Sequence, residues 1–493
     1  MTQVLYAEPY RPQYHFTPVS GWMNDPNGLL FYDGEYHLYY QAIPHSHESE
    51  GPKHWGLAIS SDLVHWRQMP TALAPDGLGE IWSGSAVVDW HNSCGLQSGA
   101  EKVLVALYTN FTPTSQQQSM AFSVDRGRSW VKYAGNPVIP NGEHRDFRDP
   151  KVFWHQASER WVAILVAGHQ TMIYTSADLK VWTFASAFGM DEVEGGVVWE
   201  CPDLFPLAVD GDAANKKWVM LVSLWGGVPN GGTATRYFVG DFDGRSFTNT
   251  SPPQTVRWLD YGCDNYATIT FSDVPNERRV GIGWMSNWLY AGKTPTAPWR
   301  SAMTVPRELS LVTDADGVIQ LVTQPINELE CLRGEAVVVG EQVVGETAVL
   351  SDIPLTGAFE ILLDCDLETA QRFSLSLKNE LGEVTVVGYE RENGRLENGR
   401  LFVDRRESGQ TNFSPDFAAD RHTAPWQLQG NKLRLHLFVD WSSVEVFVDN
   451  GRLALTEQIF PSTPYNQVVC QVQGGSARIL HCQIWPLHSI WPQ

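Results

Sequence analysis

A weak repeat of one turn motif restricts the fold of this chain more than any other feature. Asp62, Asp125, Asp178 and Asp243 each open a polar turn that reaches an aromatic residue within five positions. The steps between these aspartates are 63, 53 and 65 residues, enough for one four-stranded sheet each. Long helical periodicity is nearly absent, which predicts an all-β chain. Sheets repeated in this way are typical of a β-propeller, and a large sandwich with coincidental spacing is the alternative.

A second series of mostly polar residues runs in phase with the first and marks the start of each sheet. Its members are Asp25, Trp82 with Ser83, Asp149, Glu200 and the segment 260–264. Five members predict five blades, whose innermost strands would bring these residues to one mouth of a central channel. Residues that are distant in sequence are therefore expected to converge.

The pattern changes in the last third of the chain, where alternating strands continue without the marker turns. Leu435 and Leu437 belong to the clearest of these alternating segments, which ends in a hairpin. We predict a propeller domain over residues 1–325, a linker over 326–339 and a β-sandwich domain over 340–493. The predicted architecture is a five-bladed β-propeller followed by a C-terminal β-sandwich.

Composition limits the class of partner. The net charge of −21 argues against nucleic acids and anionic membrane surfaces, because both are themselves negative. Seven scattered cysteines form no CxxC pair, so neither a zinc site nor a dense disulfide framework is predicted. The N-terminal residues show no basic segment followed by an apolar run, which predicts a cytoplasmic protein as written. The alternative is a secreted protein whose signal has been removed.

Three short motifs each offer one carboxylate held in a restricted backbone. Asp25 and Asp149 directly precede a proline, and Glu200 lies two residues before one. Aromatic residues or an arginine flank each acid. Rigid carboxylates in partly dry surroundings are what glycoside hydrolysis requires of its acid pair. The alternative for any single motif is ordinary turn or strand-edge chemistry.

The motifs as a set resemble those of glycoside hydrolase family 32, which contains invertases, inulinases and levanases. The matching segments are 22–28, 40–41, 54–56, 82–85, 147–150, 199–203, 260–262, 283–288, 298–300 and 442–447. The resemblance implies a five-bladed propeller with an appended sandwich, in agreement with the spacing of the repeats. It implies no cofactor and no metal. His54 is interpreted as a strand residue, since no metal-like histidine spacing accompanies it.

The resemblance also implies roles for the three acids. Asp25 would be the nucleophile, Glu200 the general acid/base, and Asp149 the residue that holds fructose hydroxyls. A retaining mechanism requires Glu200 to be protonated at the start, so we expect its pKa to be raised by neighbouring charge and by Trp199. Arg148 is expected to keep Asp149 ionised.

Further residues lie in segments that line the fructose pocket in the family. They are Asn24, Gln41, Trp82, Ser83, Arg148, Asp260 and Trp288. The implied activity is release of fructose from the non-reducing end of β-fructans (levan, inulin) and from sucrose, by a monomer or homodimer. Fructosyl transfer by the same acids is one alternative, and an inactive fructan-binding protein is another.

Two places depart from the family pattern. The loop 45–51 carries two acids and two histidines where an apolar wall is expected. We hypothesise that it tunes binding of the leaving group, and the alternative is a solvated surface loop. Cys263 stands where many relatives carry lysine. Both departures bear on chain-length and acceptor preference.

Overall fold

Strands form nearly all of the regular structure in the computed structural model of this chain. The model describes residues 6–190, 192, 197–251, 255–351, 356–392 and 398–491. Within these residues the helices are three short 3₁₀ segments, at Pro275–Glu277, Ala291–Lys293 and Asn327–Leu332. None of these helices in the described part of the chain could span a membrane. The prediction of an all-β chain is confirmed.

The N-terminal part folds into successive antiparallel sheets, each built from four main strands. The first two blades contain β1 (Gly21–Tyr32), β2 (Glu35–Ile43), β3 (His54–Ser60), β4 (Arg67–Leu73), β5 (Glu80–Asp89), β6 (Val103–Thr112), β7 (Ser115–Ser123) and β8 (Val131–Lys132). The next two contain β9 (Phe147–His155), β10 (Arg160–Ala167), β11 (Thr171–Ser176), β12 (Trp182–Phe188), β13 (Trp199–Val209), β14 (Asp212–Trp225), β15 (Thr233–Phe242) and β16 (Phe247–Asn249). The last contains β17 (Tyr266–Thr270), β18 (Val280–Met285), β21 (Arg307–Thr313) and β22 (Ile319–Pro325), with the short strands β19 (Trp299–Arg300) and β20 (Ala302–Met303) beside it.

The innermost strands of the five sheets close into a ring. Each of β1, β5, β9 and β13 contacts the innermost strand of the next sheet, and β17 contacts both β13 and β1. The two-residue strand β19 pairs in parallel with β1, at Gly21 with Trp299, and so joins the end of the ring to its beginning. This closed arrangement confirms the predicted five-bladed propeller.

The marker turns occupy equivalent places in four blades, between the third and fourth strands. In each turn the aspartate carboxylate accepts a backbone N–H from within the turn, at 2.7 to 3.0 Å. An aspartate that satisfies its own turn in this way stabilises the local backbone without help from the rest of the fold. This local chemistry is why the repeat is visible in the sequence. The residues concerned are Asp62, Asp125, Asp178 and Asp243.

The C-terminal part is a sandwich of two antiparallel sheets, as predicted. In chain order the strands are β23 (Val337–Val339), β24 (Gln342–Val344), β25 (Thr347–Ser351), β26 (Phe359–Asp366), β27 (Arg372–Lys378), β28 (Val384–Arg391), β29 (Asn398–Glu407), β30 (His422–Gln427), β31 (Lys432–Asp440), β32 (Ser443–Val448), β33 (Leu453–Gln458), β34 (Gln467–Gln473) and β35 (Ala477–Pro486). One sheet contains β25, β27 to β30 and β34, and the other contains the remaining strands.

Successive side chains of β31 point to opposite faces, so this strand packs against both the sandwich core and the propeller. Leu435 and Leu437 face the other sheet and belong to the buried core of the sandwich. Phe438 points the opposite way and packs in a cluster with propeller residues such as Phe16. The strand β23, which lies in the segment predicted as a linker, pairs with β35 of the sandwich.

A buried ionic group also joins the two parts. Arg307 of the propeller donates from Nη1 to Asp260 at 2.8 Å and from Nη2 to Glu445 of the sandwich at 2.5 Å. The Thr456 hydroxyl donates to Asp260 at 2.7 Å. We call Asp260, Arg307, Glu445 and Thr456 the interface cluster. All four residues are buried.

Candidate active site

Each innermost strand carries a β-bulge near its beginning. At each bulge two residues of the inner strand oppose one residue of the neighbouring strand. A bulge turns side chains away from the regular alternation of a strand, and bulges often occur beside active sites. In the first three blades, bulged residues line the cavity at the channel mouth. The bulged pairs are Asn24 with Asp25, Trp82 with Ser83, Asp149 with Pro150, Cys201 with Pro202, and Ala267 with Thr268.

The fifth bulge corrects one expectation from the sequence. The marker series placed its fifth member at 260–264, but the structure places it at Ala267, whose φ is +53°. Asp260 precedes β17 and belongs to the interface cluster. It is therefore not brought to the channel mouth. The nearby Tyr266 takes part instead, because its hydroxyl donates to the Glu200 carboxylate.

A cavity of about 220 Å³ lies at the mouth of the channel. Every other site residue predicted from the sequence lines it. The lining residues are Asn24, Asp25, Gln41, Lys53, Trp82, Ser83, Arg148, Asp149, Glu200, Trp225 and Trp288. Three acids from β1, β9 and β13 thus meet in one small space, although they are far apart in the chain.

The two oxygens of the Asp25 carboxylate differ in their hydrogen bonds. Its Oδ2 accepts a hydrogen bond from the Ser83 hydroxyl at 2.7 Å and a weaker one from the Cys201 thiol at 3.5 Å. Its Oδ1 is buried and has no hydrogen-bond partner among the described residues. A carboxylate that lines a cavity, is fixed in place and is not saturated with donors is suited to attack an electrophilic carbon.

Arg148 links the other two acids. Its Nη2 donates to Glu200 Oε1 at 3.1 Å, and its Nε lies 3.8 Å from Asp149 Oδ2. The backbone N–H of Cys201 donates to the same oxygen of Asp149 at 3.0 Å. One guanidinium therefore faces the buried carboxylate of Asp149 and the partly buried carboxylate of Glu200, with a third from Asp25 close by.

Burial raises the pKa of Glu200, and the charge of Asp25 raises it further, while Arg148 and the Tyr266 hydroxyl lower it. The balance is a raised pKa, in the direction predicted. Burial also raises the pKa of Asp149, against the opposing effect of Arg148, and the charges of Glu200 and Asp25 add to the rise. The expectation that Arg148 would keep Asp149 ionised is not supported, because burial and the two neighbouring acids outweigh the effect of the guanidinium. Asp149 and Glu200 therefore both bind a proton more readily than exposed carboxylates do.

Aromatic rings form much of the cavity wall. The ring of Trp82 stacks on Phe111 with centroids 3.8 Å apart and planes 9° apart. Trp288 lies between Trp22 and Trp225, with centroid distances of 6.0 and 6.2 Å. Flat apolar faces beside hydrogen-bonding side chains suit the two kinds of surface that a sugar ring presents.

Sequence reasoning missed Lys53, Trp225 and Tyr266. Lys53 Nζ lies 4.9 Å from the centroid of the Trp22 ring and donates to the Ser49 carbonyl of the 45–51 loop at 3.1 Å. Burial lowers the pKa of Lys53 to about 8, although Asp25 and Glu80 oppose the change. Its position just before the 54–56 motif was the available signal, whereas Trp225 and Tyr266 stand outside any motif. His54 begins β3, as predicted.

Cys263 lies elsewhere, in a buried group with His422 and Glu457 whose ligand atoms are within 4.8 Å of one another. His422 Nδ1 is 2.8 Å from Glu457, and Arg405 Nη1 lies 3.1 Å from the same carboxylate. A guanidinium thus already neutralises Glu457. The geometry fits an ion-pair network better than a metal centre, and Cys263 does not line the cavity.

Comparison with known proteins gives the family. The chain matches the glycosyl hydrolases family 32 N-terminal domain over residues 15–325 and the family 32 C-terminal domain over 328–486. A levanase from Bacillus subtilis strain 168 is 47% identical over 99% of this chain and 72% of that protein. An extracellular exo-inulinase from Aspergillus awamori is 38% identical over 99% of this chain and 96% of that protein. A crystal structure of the Aspergillus awamori exo-inulinase matches with a TM-score of 0.90 and 37% identity, covering 99% of this chain and 100% of that one. The chain therefore belongs to glycoside hydrolase family 32.

Proposed function

We propose that this protein is a retaining β-fructofuranosidase that releases fructose from the non-reducing end of levan and inulin, and from sucrose. The observation that carries the proposal is the convergence of Asp25, Asp149 and Glu200 on one small cavity. The names of the relatives, a levanase and an exo-inulinase, support β-fructans as the substrate class.

In the first step Asp25 attacks the anomeric carbon of the terminal fructosyl unit. Asp25 lines the cavity, and Ser83 and Cys201 hold its Oδ2. Glu200 donates its proton to the glycosidic oxygen as the bond to the leaving group breaks. A raised pKa supports this role, because it favours the protonated form of Glu200 that the first step requires. The products are a covalent fructosyl-enzyme and the shortened chain.

In the second step Glu200, now ionised, removes a proton from water. The resulting nucleophile attacks the same carbon, the bond to Asp25 breaks, and free fructose leaves. Asp149 and Arg148 bind hydroxyls of the fructosyl ring during both steps, and Asn24 and Gln41 complete this polar lining. The aromatic faces of Trp82 and Trp288 pack on the apolar parts of the sugar.

We also propose that residues 1–325 carry the chemistry, that 326–339 link the domains and that the sandwich of 340–493 supports the propeller. The cavity-lining residues all lie between Asn24 and Trp288, which supports this division. The Aspergillus relative is named as extracellular, which supports the secreted alternative for this chain.

A product analysis tests the activity. The protein and its Asp25→Ala variant are incubated separately with levan, inulin and sucrose, and the products are resolved by chromatography. Free fructose from the unmodified protein, absent with the variant, is the expected result. Difructose anhydride or lengthened oligosaccharides would identify a fructosyltransferase instead. No product from any of the three substrates would leave the binding-protein alternative.

A further inference from the structure

A second cavity, of about 480 Å³, lies beside the catalytic cavity. Its walls are residues 111–116, at the turn between β6 and β7, and residues 141–146, just before β9. We call it the outer groove. Phe111 pairs with Glu80, the first residue of β5, so the groove opens at the same end of the propeller as the bulges.

Two side chains form a wall that the outer groove shares with the catalytic cavity. Trp82 lines the cavity, and its ring stacks on Phe111 of the groove. Arg148 also lines the cavity, and its Nη1 donates to Gln116 at 3.2 Å and to Asp146 at 2.9 Å, both in the groove. A ligand that extends past Trp82 and Arg148 therefore enters the outer groove directly.

The direction in which the substrate leaves the cavity follows from the position of the acid. On the proposed function, Glu200 protonates the glycosidic oxygen, so the leaving group starts beside Glu200. Arg148 is bonded to Glu200 through Nη2 and to the groove residues through Nη1. Arg148 thus connects Glu200 to the groove residues. The leaving group therefore starts on the side of the cavity that borders the outer groove.

We propose that the outer groove binds the fructosyl units of a β-fructan chain that follow the first leaving-group unit. Thr114, Ser115, Asn141 and His144 offer donors and acceptors for hydroxyl groups, and Phe111 offers an apolar ring. This inference rests on the proposed function. It makes the groove a determinant of chain length, because sucrose ends after the first leaving-group unit and a fructan continues.

The test fills the groove with a bulky ring. A Cβ atom at Gly142 would meet nothing within 4 Å, so Gly142→Trp starts a side chain in open space on the groove wall. Thr114→Trp places a ring on the opposite wall, where Thr114 is exposed. The matched control is Gly345→Trp, since Gly345 in the sandwich is equally open. For each variant kcat/KM is measured on sucrose, long-chain inulin and levan.

We expect both groove variants to lower the ratio of fructan to sucrose kcat/KM by about tenfold or more, with the control ratio unchanged. The ratio does not depend on the fraction of active protein, so partial misfolding does not disturb it. If the unmodified protein releases fructose and both groove variants keep the ratio within about twofold, the groove assignment alone is wrong. If the unmodified protein acts on none of the substrates, the proposed function fails first and the groove assignment falls with it.

Discussion

Two groups of buried acids in this molecule are each built around one arginine, yet they differ in how completely the acids are satisfied. In the interface cluster, Arg307 faces Asp260 and Glu445. At the active site, Arg148 faces Asp149 and Glu200. Burial is similar, since these residues are inaccessible or nearly so, with Glu200 somewhat more open.

The interface carboxylates are saturated with donors. Asp260 accepts from the Thr456 backbone and hydroxyl, from Gly262 and from Arg307, all within 3.0 Å. Burial raises the pKa of Asp260, but Arg307 and these hydrogen bonds reverse the effect and leave it lowered. At the active site, by contrast, the pKa of Glu200 is raised, and Asp25 Oδ1 has no partner among the described residues. Saturation with donors, rather than burial, separates a structural acid from a reactive one.

The largest expected effect concerns the active site, whose acids are not saturated with hydrogen-bond donors. Asp25→Ala removes the proposed nucleophile, and we expect kcat to fall by more than about a thousandfold. The free energy of unfolding should change little, because Asp25 has few partners to lose. Steady-state kinetics and chemical denaturation measure the two quantities. A folded variant that keeps more than about a tenth of the turnover would show that Asp25 is not the nucleophile.

In the interface cluster we expect the opposite result, with a large loss of stability and little change in kcat. Arg307→Met leaves Asp260 buried without its cation and Glu445 with His15 alone, and should lower the free energy of unfolding by about 3 to 5 kcal/mol. The folded fraction should keep its kcat. The matched control is Arg278→Met, whose partners Glu308 and Glu328 are partly exposed and whose loss should cost about 1 kcal/mol or less. Equal losses of unfolding free energy in the two variants, measured by denaturant unfolding, would show that the buried cluster contributes no more to stability than the partly exposed ion pairs.

Local chemistry explains what could be predicted from the sequence. The marker aspartates satisfy their own turns, so their spacing revealed the blades. Asp25 and Asp149 stand directly before prolines, so their motifs were recognisable without the fold. In the sequence Asp260 looked equivalent to the other marker residues, because the hydrogen-bond donors that saturate a carboxylate can come from distant parts of the chain. Its partners Arg307 and Thr456 lie 47 and 196 residues away in the chain.

The fifth blade shows the same limit. Its bulge falls at Ala267 and Thr268, which carry no acid or aromatic to mark the position. Tyr266 reaches Glu200 only because five separated strands close into a ring. Lys53 enters the cavity partly through its contact with the ring of Trp22 on β1, which its own segment could not indicate.

A smaller effect tests how the hydroxyl of Tyr266 adjusts the acid. This hydroxyl donates to Glu200 and favours its ionised form. Tyr266→Phe should therefore raise the pKa of Glu200 further. Activity requires protonated Glu200 and falls as pH rises through that pKa. The alkaline limb of the pH profile of kcat/KM should therefore move to higher pH by about one pH unit or less.

The control is a tyrosine in the same kind of contact away from the cavity. The Tyr290 hydroxyl donates to buried Asp264 at 2.7 Å, so Tyr290→Phe should leave the limb in place. The pH dependence of kcat/KM is recorded for both variants. A downward shift in Tyr266→Phe, or an equal shift in both, would contradict the assignment of Glu200 as the acid.

The smallest expected effect concerns Lys53, the lysine of the catalytic cavity. Its ammonium faces Asp25 and is anchored to the 45–51 loop through the Ser49 carbonyl. The loop therefore reaches the cavity through its backbone and Lys53, not through the exposed side chain of Glu50. Lys53→Met should change the ratio of sucrose to inulin kcat/KM by about threefold to tenfold, while Glu50→Ala keeps it within about twofold. Because the pKa of Lys53 is about 8, the difference between Lys53→Met and the unmodified protein should shrink as pH rises above that value. If Lys53→Met leaves the ratio unchanged, the loop is a solvated surface segment and does not contribute to specificity.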